Sequence, residues 1–264
     1  MATGKWLRAG LSSLTLAALA QVAHAAPAPL TLCFEDVAQR PWSMPDATGL
    51  NFELLKRVQQ ALGEQFRYAP KPWRRCMEEL RLGAVDGVIA AADASARRSF
   101  AIVPTLPDGG ADPGRALYVD NVNVFLRVGG QASWNGHQLS APRGEVAVQA
   151  GYLIGNNLRA QGLLPRELVK SADDGLRLLV SGLFDVAVLQ GTEASLLVQS
   201  DPRFRDRVQQ ASPRYAALDF HLMFNRRTYD RDPRRIEAIW HAIGLQRQSA
   251  DYRQLAATAG VAPP

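Results

Sequence analysis

Two stretches of the chain, 99 residues apart, follow the same pattern: Leu80-Arg-Leu-Gly83-Ala-Val-Asp86-Gly-Val-Ile and Leu179-Val-Ser-Gly182-Leu-Phe-Asp185-Val-Ala-Val. Both read Leu-x-x-Gly-x-x-Asp followed by an apolar run. A glycine in this place lets a helix end in a left-handed residue without a Cβ penalty. A short run with nothing polar in it is a strand covered on both faces. Each stretch is therefore a helix, a stop, and a buried strand approached through Asp. Two such units set in the same order of elements imply two similar α/β lobes rather than one long sheet.

The surrounding pattern fills in both lobes. Residues 30–34 read as a first strand, and 52–62 as a helix with Leu54, Leu55, Val58 and Leu62 on one face and Gly63 at its end. After a short strand at 66–68, Trp73, Cys76, Met77 and Leu80 recur at helical spacing, so 73–82 is a second amphipathic helix; 85–92 is the third strand. Around the second copy, 145–149 reads as a strand, and 155–161 and 191–198 as helices. Residues 118–126 alternate apolar and polar without a glycine, as an extended crossover between lobes would. A second β-rich stretch, 218–224, precedes a helix that begins at Asp232 and buries Ile236, Ile239, Trp240 and Ile243. If that helix returns to the first lobe, two strands cross between the lobes and the protein can hinge. The expected organisation is lobe 1 from 26–118 plus 222–264, lobe 2 from 128–215, and hinge crossovers at 119–127 and 216–224.

The amino end reads as a secretory signal peptide over residues 1–25. Lys5 and Arg8 precede a short apolar run, and Ala23-His-Ala25 is a small-x-small cleavage site. No Cys stands there to take a lipid. Without residues 1–25, which hold two cations and no acids, the formal charge falls from +5 to +3. The arginines are scattered instead of forming a stripe, which argues against a nucleic-acid partner. Cys33 and Cys76 both lie in the exported part, where an oxidising compartment favours a disulfide; two buried thiols are the alternative. With three scattered histidines beyond the leader, they supply too few ligands for a metal site, and no cofactor motif is present.

Residues 30 to about 257 resemble the bacterial solute-binding proteins of family 3, the polar amino acid type. The resemblance rests on Gly49-Leu-Asn-Phe-Glu-Leu-Leu, Pro72-Trp-Arg-Arg-Cys-Met, Gly83-Ala-Val-Asp-Gly, Ser95-Ala-Arg-Arg, Val148-Gln-Ala-Gly-Tyr, Gly182-Leu-Phe-Asp-Val-Ala and Leu222-Met-Phe-Asn-Arg, in that order. It implies a type II periplasmic binding fold, two α/β lobes joined by a two-stranded hinge. It also implies an aromatic 13 residues before the strand Asp, here Trp73, lying against the ligand, and an arginine 12 residues after it, here Arg98, pairing with a ligand carboxylate. Trp73 equally suits plain core. Amino acid binders of this family place a carboxylate five residues after the second strand Asp, for the ligand's ammonium. That position is Gln190 here.

General physics supports an anion site after 85–92, because ligands collect beyond the carboxyl ends of parallel strands. A guanidinium there grips a carboxylate with two parallel bonds. Ser95 is positioned to cap the following turn and leave backbone N–H groups free for the same anion. Asp93 is either an ammonium contact or the partner of Arg97, itself read as a solvated arginine. Trp42 is a candidate for the opposite wall, and Glu35 for the cleft mouth. From the second lobe, Gly151 allows backbone amides to approach an anion at a helix start, with Tyr152 the nearest side chain.

These features are those of a non-enzymatic, periplasmic, monomeric binding protein that captures a small polar solute, an amino acid or related carboxylate. The expected partners are that ligand and an inner-membrane permease of the ATP-driven import type. Two other readings share the scaffold: a periplasmic dehydratase-like enzyme, and a ligand-sensing module for a separate receptor.

Overall fold

The computed structural model describes Met1 and residues 28–261, so the expected leader at 1–25 lies, but for its first residue, outside the described residues. In the first lobe the chain runs β1 (Leu30–Glu35), α1 (Leu50–Leu62), β2 (Phe66–Lys71), α2 (Trp73–Leu82), β3 (Gly87–Ala92), a 3₁₀ turn (Ser95–Arg97), the short β4 (Ala101–Ile102) and a second 3₁₀ turn (Pro113–Arg115). It then crosses along β5 (Tyr118–Arg127). The second lobe holds the two-residue strands β6 (Ser133–Trp134) and β7 (Leu139–Ser140), then β8 (Glu145–Gln149), α3 (Leu153–Ala160), β9 (Leu164–Val169) and α4 (Ala172–Val180). It is completed by β10 (Val186–Gln190), α5 (Glu193–Ser200) and β11 (Val208–Gln210). β12 (Ala216–Asn225) returns the chain to the first lobe, which α6 (Arg226–Arg231), α7 (Pro233–Arg247) and α8 (Ala250–Thr258) close.

The main path of the large sheet is β2-β1-β3-β12-β5-β10-β8-β9. Each half is a parallel triplet flanked on its inner side by one antiparallel strand. The repeated Leu-x-x-Gly-x-x-Asp units therefore occupy equivalent places. Gly83 and Gly182 both take the left-handed conformation, at φ 75° and 76°, as a helix stop requires. The two Asp carboxylates are used differently: Asp86 accepts the Thr31 N–H at the head of β1, and Asp185 is gripped by the Arg127 guanidinium at the foot of β5.

The alternation of strand residues decides what covers each face. In β1, Leu32 and Phe34 pack with Leu54, Leu55, Ile239 and Trp240 of α1 and α7, while Cys33 faces Trp73, Cys76 and Leu80 of α2. The second lobe repeats this, with Ala147, Ala187 and Leu189 toward α4 and Val146, Val148, Val186 and Val188 toward α3. β5 and β12 belong to both halves. They pair with one another from Tyr118 to Val122 and Ala216 to Phe220; beyond those points β5 pairs with β10 and β12 with β3. Cys33 and Cys76 are joined in a disulfide with Cα atoms 5.5 Å apart. Among the described residues no helix is long and apolar enough to cross a membrane, and no three His, Cys, Asp or Glu side chains converge as metal ligands would.

Candidate functional site

The carboxyl ends of β1 and β3, the start of α2, the middle of β5 and the turns after β8 and β10 enclose one cleft between the lobes. Its lining includes Phe34, Glu35, Trp73, Ala90, Arg97, Tyr118, Tyr152, Gln190 and Phe220. The space open to water there is about 40 Å³, room for a few waters. A wider vestibule lies outside it, and Glu35, Trp73 and Tyr152 border both spaces. The Trp73 and Tyr152 rings, one from each lobe, meet edge to face at 6.3 Å between centroids.

Arg97 is the cation of this cleft. Its side chain is 8 % exposed, it donates from Nη1 to the Ala92 carbonyl at 2.9 Å, and its guanidinium lies 5.9 Å from the Trp73 ring centroid. Burial pulls its pKa down to about 10, against the pull of Asp93. No carboxylate lies within ion-pair distance of it among the described residues.

Arg98, the expected contact, lies outside the lining of this cleft. Arg98 is exposed and turned away, its guanidinium paired with Asp93. The reason is local: 95–97 form a 3₁₀ turn, in which adjacent side chains diverge by about 120°. One of two neighbouring arginines must therefore face out, and the Ala92 carbonyl holds Arg97 inward. Asp93 makes its direct ion pair with Arg98, acts on Arg97 only through its charge, and does not line the cleft. Ser95 is exposed, and the turn starts from extended Ala94 with no side-chain cap, so the expected capping role is absent.

Two further expected residues also lie outside the cleft lining. Trp42 lies in the lobe-1 core, stacked at 3.9 Å behind Tyr118, and it is Tyr118 that presents a ring to the cleft. The Gly151 amide is not free for an anion, since it donates to Glu167 Oε2 at 2.8 Å. Glycine there serves interlobe contact instead: a Cβ at 151 would stand 2.7 Å from Cγ of Arg74, and its φ is +79°. Trp73, Tyr152, Gln190 and Glu35 all line the cleft. Gln190 is locked to Gln149 by a reciprocal pair, its N–H donating at 2.8 Å and its carbonyl accepting at 3.3 Å.

Glu35 is the titratable group poised nearest neutrality. Burial, then the neighbouring Asp36, raise its carboxyl to about 7, while the Trp73 N–H, at 3.2 Å, and the Tyr152 hydroxyl pull the other way. Asp120 on β5 is buried and raised to about 6 by burial, against the Asn121 N–H and the Trp42 indole. The Trp42 Nε1–H is buried and makes no regular hydrogen bond, this carboxylate being the acid it acts on. Sequence reasoning passed over Arg97, Tyr118 and Asp120. The alternation of 118–126 carried a signal for the last two, placing 118, 120 and 122 on one face.

Across the mouth, Arg74 of α2 reaches Glu167 of β9, which also takes Arg159 and the Gly151 N–H. Burial alone would push the Glu167 carboxyl up. The Gly151 amide, Arg159 and Arg74 together overcome it and hold the group at about 2. A carboxyl depressed on folding contributes stability that is complete above its ordinary value of 4.5 and vanishes as pH falls toward 2. Glu167→Gln is expected to cost about 1 kcal/mol at pH 7, as partly exposed pairs do. It should also flatten the fall in melting temperature between pH 4.5 and 2, as thermal melts across that range would record.

No family model matches the chain, and no curated protein sequence matches it. Solved structures do. A histidine kinase sensor domain with similarity to periplasmic binding proteins superposes with a TM-score of 0.70 at 16% identity, covering 89% of this chain and 98% of its own. An ancestral arginine-binding protein bound to arginine gives 0.65 at 15% identity, with 89% and 99% covered. An ancestral amino acid-binding protein that is a precursor of cyclohexadienyl dehydratase gives 0.64 at 16% identity, with 87% and 94% covered. The fold is that of the type II periplasmic binding proteins, two lobes included.

Proposed function

We propose that the protein captures a small carboxylate-bearing solute between its lobes, in the periplasm, and presents the closed form to an inner-membrane importer. The observation that carries this reading is Arg97: a buried guanidinium in an interlobar cleft, bonded to one backbone carbonyl and to no carboxylate. A buried unpaired cation costs several kcal/mol, and a bidentate carboxylate removes that cost while using the planar fork that Ala92 leaves open. The Trp73 ring lies 5.9 Å from the same guanidinium, and the cleft's aromatic walls suit a guest with an apolar body. The likeness to arginine-bound and other amino acid-binding proteins supports an amino acid or close relative as the guest.

In this reading lobe 1 (26–118 plus 222–264) and lobe 2 (128–215) move as bodies about the crossovers 119–127 and 216–224. The support is the pairing of β5 and β12, the two strands shared by both halves of the sheet. Closure brings Trp73 to Tyr152 and Arg74 to Glu167; the ligand selects it by binding the closed form more tightly. A thermal-shift screen of the L-amino acids and small carboxylates tests the proposal. A ligand at a hundredfold excess over its Kd should raise the melting temperature by about 5–10 °C. A screen with no hit at millimolar concentration would end the binding reading.

Glu35 supports a second reading, an enzyme on this scaffold. A carboxyl near pKa 7, beside the Tyr152 hydroxyl at the cleft, is poised to exchange a proton with a guest. Chromatography of each hit after an hour with the protein separates the two: a consumed compound makes the protein a catalyst.

A further inference from the structure

We propose that the guest carries an ammonium group and that Asp120, on the hinge strand, is the residue that holds it. This rests on the carboxylate–Arg97 reading above and extends it to the other end of the ligand. The lobe-2 position where the resemblance expects an acid is Gln190, and Asp93 is turned out to Arg98. Glu193 lies 3.9 Å from Arg40 instead of lining the cleft. An acid for an ammonium therefore has to come from elsewhere, or the ligand has none.

Asp120 supplies it. Strand alternation places it on the same face of β5 as Tyr118 and Val122, both of which line the cleft. It is 5 % exposed and has no Lys, Arg or His within ion-pair distance among the described residues. One oxygen accepts the Asn121 N–H at 2.7 Å. The other, Oδ2, lies 3.8 Å from the point where a Cβ on Gly191 would stand. That is immediately beside Gln190, so the hinge delivers a carboxylate to the neighbourhood the lobe-2 acid would have served. The groups around it are the Trp42 indole, the Tyr118 and Tyr152 phenols and Gln190; after burial, the Asp120 charge is a cause of the upward shift of both phenols.

Charge counting sharpens the class of guest. Arg97 and the part-buried Glu35 line the cleft, and the buried Asp120 adjoins it on the same face of β5 as Tyr118 and Val122. A purely anionic guest such as a dicarboxylate would neutralise the arginine and leave Asp120 without a countercharge, whereas Glu35, raised to about 7, can stand neutral. A guest with one carboxylate and one or two ammonium groups, a neutral or basic amino acid, balances the set. Holding its ammonium on the hinge strand also ties recognition to the element about which the lobes turn.

The test is calorimetric titration of the whole protein with the L-amino acids and, for each, the des-amino acid: L-lysine against 6-aminohexanoate, L-glutamine against 4-carbamoylbutanoate, L-phenylalanine against 3-phenylpropionate. The expected result is an amino acid whose des-amino partner binds roughly 100-fold more weakly, as loss of one member of a buried charge pair predicts. Asp120→Asn should weaken the amino acid by a similar factor and change the des-amino acid by less than about threefold, while Arg97→Ala weakens both. If a des-amino acid binds the wild type as tightly as its parent, or if Asp120→Asn keeps the full preference, Asp120 is not the ammonium site and the Arg97 reading stands. If neither series binds, both readings fall together. Should Asp120→Asn melt before it can be titrated, the wild-type comparison decides alone.

Discussion

Arg97→Ala is expected to lower affinity for the proposed ligand at least about 100-fold, whereas Arg98→Ala should leave it within about threefold of wild type. The two side chains are adjacent and identical, so charge and composition do not distinguish them; position does. Arg97 is buried at the cleft, and what it loses on truncation is a charge-assisted, desolvated contact of the kind worth 2–5 kcal/mol or more. Arg98 is half-exposed and already satisfied by Asp93, and an exposed pair of this sort contributes about 0–1 kcal/mol to the fold and nothing to a guest it does not meet. Arg97→Lys should recover little, since an ammonium lacks the planar fork and the flat face that lies over Trp73. Calorimetry on the four proteins, with melting curves to show each is folded, reads this directly. Equal losses at 97 and 98, or a loss at 98 alone, would return the anion site to the outer side of the turn.

That a one-residue difference matters shows where the sequence was legible and where it was not. Helical periodicity located α2 over Trp73–Leu82, and the paired Leu-x-x-Gly-x-x-Asp units implied the duplicated lobes, because both signals are local and repeat over many residues. The arginine position was carried over from the family resemblance, as the residue 12 after Asp86, and such a spacing takes no account of how this chain leaves β3. β3 is not regular: its pairing with β12 shifts between His221 and Met223, where three steps on β3, from Val88 to Ala91, answer two on β12. Ala90, in the shifted segment and lining the cleft, has φ +65°, a conformation an L-residue keeps only when its surroundings impose it. A bulge followed by a 3₁₀ turn sets the side-chain phase through tertiary contacts, which no spacing rule records. Asp120 escaped notice for the opposite reason. Its strand was read correctly as extended, but which face of a crossover points into a cleft depends on the two lobes it joins.

Removing the disulfide, as Cys33→Ala/Cys76→Ala, is expected to destabilise the protein by about 4 kcal/mol in the chain-entropy account of a bridge closing a loop of this length. The two cysteines are separated by 43 positions. For a chain of this size that corresponds to a fall in melting temperature of about 10 °C, measurable on the oxidised exported form against the variant. The functional consequence follows from where the bridge sits. Cys33 is two residues before Glu35, and Cys76 is three after Trp73, one helical turn into α2. The bridge therefore pins the start of α2 to the end of β1, and that junction carries the cleft's acid, its aromatic wall and the Trp73 N–H that Glu35 accepts at 3.2 Å. Both sulfurs lie in the apolar layer with Leu80, Val88 and Met223, so alanine leaves a cavity there but no unpaired polar group. With the pin gone, α2 can slide on the sheet, and the ring near Arg97 loses its fixed height. Affinity should fall together with stability, by about tenfold, if ordering α2 costs roughly 1.4 kcal/mol of the binding energy. A variant that melts lower yet binds as tightly as wild type would confine the bridge to stability and leave the cleft positioned by the core beneath it.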